Sequence, residues 1–230
     1  SAASDVYKRQ VLRHFVREHS SMKSENNKTV FMWDRTDLSF QASSVFQWFT
    51  FAVQVEFKCE SETIHLDGFW DGSSKWVVRF APTRPGIWNW VSRSQDPAMD
   101  KHEGTIECIA PDKHQKHANK NLHGFVRVPK NGLHFQYADG EPFFFLGDTV
   151  WAVNTLRCGL GEQTDGDFFS WLKDRKAKGF TTACVQFFRR LNQSNEGGYP
   201  FPNNTTDNGV FSELNPDFFK YLDTRLSLIH

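Results

Sequence analysis

Hydrophobic residues recur with one period in the first half of this 230-residue chain and with another in the second, and the change falls near Gly124. Before it, apolar and polar residues alternate. Residues 48–57 are aromatic and β-branched, and Val53, Val55 and Phe57 alternate with Gln54, Glu56 and Lys58. A period of two puts one set of side chains on each face of a half-buried strand. Asp67-Gly68 and Asp71-Gly72 mark turns. Residues 75–80 and 87–91 repeat the alternation across a break at Pro82, Pro85 and Gly86, and residues 104–109 close the set. Many short strands at regular turn spacing, with no helical period, predict an all-β, immunoglobulin-like antiparallel sandwich over residues 29–110.

After Gly124 the pattern lengthens. Residues 134–137 and the turn Ala138-Asp139-Gly140 predict a small hairpin. Phe143-Phe144-Phe145-Leu146 is a continuous apolar run, as in a strand buried on both faces. Asp165 is placed to cap a helix running through Lys178, with Phe168, Phe169, Leu172 and Arg175 at helical spacing and Gly179 as its stop. Residues 180–188 form a second apolar run, in which Cys184 is expected to be a buried thiol. Asn215-Pro216 then offers an N-cap with proline at the first position of a second helix. Strand, helix, strand, helix is the β/α unit of a parallel sheet or barrel. Two such units in residues 124–225 predict an incomplete β/α (TIM-type) barrel, joined to the sandwich by a solvated polar linker at residues 111–123.

Lys and Arg number 27, as do Asp and Glu, so no net field draws the chain to nucleic acid or acidic lipid. No apolar run reaches the length of a membrane span. The 23 Phe and 8 Trp are far more than a disordered chain carries. Cys59, Cys108, Cys158 and Cys184 show no metal-binding spacing, and His114 and His117 have no third ligand nearby, so no metal and no cofactor is expected. Pairing of Cys59 with Cys108 and a free thiol at each both stay open. Residues 5–10 and 226–230 resemble translated sequencing-adapter sequence from a transposon end, read on opposite strands. Residues 1–28 are therefore expected to be an artefactual or disordered segment, and 226–230 an adapter-like tail. The lack of a leader then carries no information about export, and the parent protein is expected to be secreted or periplasmic.

Working residues of β/α barrels lie at the C-terminal ends of strands. The first such place is Gly147-Asp148-Thr149-Val150-Trp151. A carboxylate accepts hydrogen bonds from hydroxyls, and an indole stacks on the apolar face of a sugar. The competing role for Asp148 is to cap a turn, and for Trp151 to fill the barrel mouth. The second strand end brings Gln186 and Arg189 towards the cleft, unless one of them packs inward or pairs with a carboxylate. The loop over residues 191–212 is long for a β/α connection and carries Glu196, Tyr199, Phe201 and Asp207. It also holds the glycosylation-type triplets Asn192-Gln193-Ser194 and Asn204-Thr205-Thr206. Asp148, Trp151, Gln186 and Arg189 are thus the candidate substrate-binding residues, and no catalytic residue is assigned.

These motifs carry a resemblance. Leu66-Asp67-Gly68-Phe69-Trp70-Asp71-Gly72, Trp76-Val77-Val78-Arg79-Phe80-Ala81-Pro82 and Pro85-Gly86-Ile87-Trp88-Asn89-Trp90 are similar to an uncharacterised β-sandwich family. That family precedes the catalytic domain in bacterial proteins read as glycoside hydrolases. From His134 onward the chain resembles the apiosidase-like glycoside hydrolases, a (β/α)8 barrel family. The match rests on residues 135–144, on Leu146-Gly147-Asp148-Thr149-Val150-Trp151, on residues 175–180 and on Leu214-Asn215-Pro216-Asp217-Phe218-Phe219. The resemblance implies hydrolysis of glycosidic bonds in plant or microbial polysaccharide by two carboxylates. In such barrels the pair comes from later strands, so this chain is expected to be an inactive fragment whose partner is a polysaccharide or oligosaccharide. A reading from another class is a non-catalytic carbohydrate-binding or adhesion protein, with Trp70, Trp76, Trp88 and Trp90 as surface platforms. Alternation puts Trp88 and Trp90 on one face, and the burial of that face decides between the two.

Overall fold

The alternation read in residues 53–59 is realised as burial in the computed structural model, which describes residues 27–44, 53–161, 168–187, 193–202 and 213–229. Strand β3 (Val53–Cys59) buries Val53, Val55, Phe57 and Cys59 and turns Gln54, Glu56 and Lys58 outward. It follows β1 (Asn27–Phe31) and β2 (Thr36–Gln41). After it come β4 (Glu62–Asp67), β5 (Phe69–Trp70), β6 (Lys75–Phe80), β7 (Gly86–Ser94) and β8 (Glu103–Ile109). The expected strand residues 48–52 lie outside the described residues.

These strands make one sheet in the order β1-β8-β7-β3-β4 and another in the order β2-β6-β5. The pairs are antiparallel except β1 with β8, which run parallel from Asn27↔Thr105 to Phe31↔Ile109. Here the expectation of a wholly antiparallel set needs correcting. No hairpin joins the first strand to the last, so the long path between them leaves either direction open. Both sheets feed one core. Phe57 stacks on Phe80 with ring centroids 3.9 Å apart, and Phe80 meets Trp88 edge to face at 5.1 Å. Trp76 and Trp88 are fully buried, while Trp70 and Trp90 pack against the same core from its margin. The four indoles therefore form no exposed row, and the platform reading loses its surface.

None of the four cysteines is in a disulfide. Cys59 on β3 and Cys108 on β8 are separated by β7. Two strand spacings put them roughly 9.6 Å apart, beyond the ~7 Å between Cα atoms that a disulfide tolerates.

The segment expected to be a solvated linker is ordered. Helix α1 (Lys113–Ala118) is closed by a reciprocal cap, in which Asp112 accepts from the Gln115 amide and the Gln115 side chain accepts from the Asp112 amide. A 3-10 turn (Lys120–His123) follows and ends at Gly124, whose φ is 91°. A Cβ there would stand 2.7 Å from both Ala138 and the Trp33 ring, so only glycine allows this close approach.

Beyond it, β9 (Phe135–Gln136) and β10 (Pro142–Phe143) form the predicted hairpin. Strand β11 (Gly147–Val150) pairs in parallel with β12 (Thr182–Val185), from Gly147↔Thr182 to Val150↔Val185. Helix α2 (Phe168–Ala177) connects them, and α3 (Pro216–Ile229) follows. Asp165, the expected cap of α2, lies outside the described residues. Asn215 caps α3 as expected, its side-chain oxygen accepting from the Asp217 amide at 3.1 Å.

Two expectations fail here. Phe144 and Phe145 precede the strand instead of forming it, and are 73% and 57% exposed. Cys184, expected to be buried, is exposed. An apolar run predicts a two-sided strand only where layers cover both faces, and here the helices cover one. Residues 226–229, read as part of an adapter-like tail, continue α3, where Leu228 and Ile229 pack against Val153, Leu160 and Phe168.

Candidate functional site

Side-chain parity along the parallel pair decides which predicted residues can meet. In an extended strand, residues one apart point to opposite faces. Asp148 and Val150 are half-buried, as are their register partners Ala183 and Val185, and Val150 and Val185 pack with the helical cluster. Gly147, Thr149 and Cys184 lie on the open face. Trp151, just past β11, and Gln186, just past β12, continue that face. Thr149, Trp151, Cys184, Val185 and Gln186 line a shallow recess of about 230 Å³ there. It sits at the C-terminal ends of both strands, where β/α folds carry their working residues.

Two of the four candidate residues, Trp151 and Gln186, therefore come together. Asp148 does not join them: it is three positions from Trp151 and has the opposite parity. Its carboxylate accepts from Arg175 Nε of α2 at 2.5 Å. The Arg175 hydrogen bond holds the Asp148 carboxyl below the usual range against the opposing effect of burial. The Trp171 indole lies close enough to act in the same sense, though its N–H makes no hydrogen bond of good geometry. Arg175 also pairs with Asp174 and lies over the Phe180 ring at 5.2 Å. Asp148 so held is a strut between strand and helix, a role different from the turn cap weighed as its alternative. Arg189 lies outside the described residues. Thr149 and Cys184 were missed as lining residues, although strict alternation from Trp151 and Gln186 would have found both.

The long loop contributes structure. Glu196 is clasped by Arg225 of α3, which is 1% exposed and donates from Nη2 to both carboxylate oxygens at 2.8 and 2.7 Å. The Leu160 amide donates to the same carboxylate at 2.6 Å. Beside it, buried Asn195 donates to Asn154 at 3.3 Å and to the Phe218 carbonyl at 2.9 Å. Asn154 in turn donates to the Phe187 carbonyl at 2.8 Å, next to Gln186. Asp207 and the two glycosylation-type triplets, apart from Ser194 and Gln193, lie outside the described residues.

A second polar cluster sits at the junction of the two halves. Asp139 Oδ2 meets Lys116 Nζ at 2.8 Å and His123 Nδ1 at 2.7 Å, and its other oxygen accepts from the Glu141 amide at 3.0 Å. Burial pushes the Asp139 carboxyl up, but Lys116, the Glu141 amide and His123 outweigh it and hold it at about 2. Among the described residues, no group of three His, Cys, Asp or Glu is placed to hold a metal ion. None of the described helices is long and apolar enough to cross a membrane.

Comparison with known proteins shows what the segment carrying this site is similar to. Residues 129–230, which include the whole parallel pair, match the family model described as apiosidase-like, catalytic domain. Residues 29–95 match a domain of unknown function, DUF5060. Among solved structures, the chain is similar to a putative glycoside hydrolase from Bacteroides vulgatus, at 27% identity and a TM-score of 0.69. The match covers 88% of this chain but only 39% of that structure. Two structures of voltage-gated sodium channel beta subunits overlap 40% of this chain at 14% and 13% identity, each with a TM-score of 0.26, a likeness too slight to carry an argument. No curated protein matches the chain. At the coarse level the second half is similar to a glycoside hydrolase catalytic domain, in line with the resemblance read from residues 134 onward.

Proposed function

We propose that this chain is part of a glycoside hydrolase acting on plant or microbial polysaccharide. In this reading residues 29–110 are an immunoglobulin-like sandwich and residues 124–225 are the first two units of a (β/α)8 barrel. The observation that carries it is the recess at the strand ends, in which Trp151 and Gln186 converge inside the segment that matches an apiosidase-like catalytic domain. An exposed indole offers an apolar plate to a sugar ring, and an amide both donates to and accepts from its hydroxyls. Arg189 is proposed to reach the same cleft from the end of β12.

The catalytic pair is proposed to lie in residues other than those here. Glycoside hydrolysis needs two carboxylates facing each other across the bond. Asp148 points away from the recess and is bound by Arg175, and Glu196 is bound by Arg225. Both are tied by ion pairs into contacts between elements, which supports a structural role for each. A secreted or periplasmic location of the parent protein suits a polysaccharide substrate.

The test is titration of the purified chain with a digest of plant cell-wall polysaccharide. The Trp151 indole N–H signal is followed by NMR, and new reducing ends are assayed in parallel. Perturbation of Trp151 without hydrolysis is expected. No perturbation at saturating oligosaccharide would overturn the binding role, and measurable turnover would overturn the absence of the catalytic pair.

A further inference from the structure

The two halves of the chain are joined by a contact that leads, step by step, to the recess. Arg79 is on β6, in the three-stranded sheet of the first half. Its guanidinium forks onto Asp223 of α3, with Nη1 donating to Oδ1 at 3.0 Å and Nη2 to Oδ2. The fork is steadied on its other sides, because Nε lies 3.5 Å from Asp37 and the guanidinium lies over the Phe69 ring at 4.7 Å. At the start of α3, Gly72 lies so close to Pro216 that an added Cβ would stand 3.2 Å from the proline ring. The first half thus grips α3 at two points, roughly 10 Å apart along its axis.

Residues two apart on a helix point to different sides. Asp223 faces the first half, and Arg225 faces inward onto Glu196. From Glu196 the chain of contacts runs to its neighbour Asn195, to Asn154, and to the Phe187 carbonyl beside Gln186. The Arg225–Glu196, Asn195–Asn154 and Asn154–Phe187 links are buried or part-buried hydrogen bonds, and the remaining steps run along the chain itself. The Arg79–Asp223 pair is about one-third exposed on both sides, so its effect on stability is about 1 kcal/mol or less. Its bidentate geometry, by contrast, fixes the direction in which α3 lies.

We propose that Arg79 is a positioning residue for the recess: through Asp223 it sets α3, and α3 sets the end of β12 that carries Cys184 and Gln186. The first half is then a part of the site's geometry and not a spacer. This concerns the shape of the recess and holds whether or not a sugar binds there, so its failure is distinct from failure of the proposed function.

Cys184 supplies the readout. It is exposed in the recess, whereas Cys59 and Cys108 are buried in the core of the first half. Alkylation of the intact 230-residue chain by iodoacetamide, resolved by peptide mass, reports recess and core separately. Arg79→Met and Asp223→Asn are each expected to raise the Cys184 rate by roughly two- to thirtyfold, the span of couplings between distant sites. Cys59 and Cys108 should stay silent. Asn154→Ala should give a similar rise, and Arg79→Met combined with Asn154→Ala should give no more than the larger single effect. Unchanged Cys184 labelling in both Arg79→Met and Asp223→Asn would overturn the proposal. So would a rise shared by Cys59 and Cys108, which marks general loosening, or strictly multiplicative rates in the double variant.

Discussion

The aromatic residues on and beside the strands are placed differently in the two halves of this chain. In the first, Phe57, Phe80, Trp76 and Trp88 are closed between two sheets. In the second, Phe144, Phe145, Trp151 and Phe187 are all more than half exposed. Two sheets facing each other bury both inner faces with no further element. A pair of parallel strands with helices on one side has a second face that nothing among the described residues covers. The same residue type is therefore a core in one place and a surface in the other, and the recess lies on that surface.

Truncation should expose this contrast first. Phe80→Ala removes a ring packed between Phe57 and Trp88 and should cost about 3–5 kcal/mol. Phe145→Ala should change stability by no more than about 0.5 kcal/mol. Urea titration followed by circular dichroism compares the two. Equal losses would mean that the second-half aromatics are covered after all.

A smaller effect is expected where the second half does bury charge. Glu196→Gln leaves Arg225 buried without its carboxylate and should cost about 2–3 kcal/mol. Native-state hydrogen exchange should localise the loss to α3 and to the loop around residue 195, leaving β3 and β7 protected. Protection lost evenly across both halves would mean that they unfold as one unit.

The junction should respond to acid. Asp139 titrates at about 2 in the folded chain, below its ordinary value near 4. A depressed carboxyl contributes stability above its unfolded value, and that contribution is lost as pH falls from about 4 through about 2. Proteolysis between α1 and β9 should accelerate over that window, and Asp139→Asn should show the faster cleavage already at neutral pH. A variant as resistant as the parent would remove Asp139 from the junction.

Smallest of all should be the effect of Trp151→Ala on stability, within about 0.5 kcal/mol by thermal melting, because the ring is 59% exposed. Its effect on oligosaccharide binding should be at least about tenfold, as for loss of a stacking aromatic worth ~1.5 kcal/mol. A large stability loss would make Trp151 a packing residue.

Much of this was legible in the residues. The alternation in residues 53–57 named the buried set of β3, and Lys75–Phe80 was read as a strand with its observed bounds. The Asn215-Pro216 cap, the hairpin around Ala138-Asp139-Gly140 and the strand-helix-strand-helix order were also plain. Trp151 and Gln186 were singled out because strand ends carry function in β/α folds, and the structure brings both to one recess. Asp148 does not join them, because its parity in β11 turns it towards Arg175.

What the sequence determined alone is what depends on neighbours in the chain: strand period, caps, turns, and which half is β and which β/α. Only the tertiary structure decided which faces are covered. A run such as Phe143-Phe144-Phe145-Leu146 states that burial is available, not what supplies it. The parallel pairing of β1 with β8, the capture of Asp148 by Arg175 and the grip of Arg79 on Asp223 join residues 27 to 144 positions apart. Such contacts are set by how elements pack, and no local period records them.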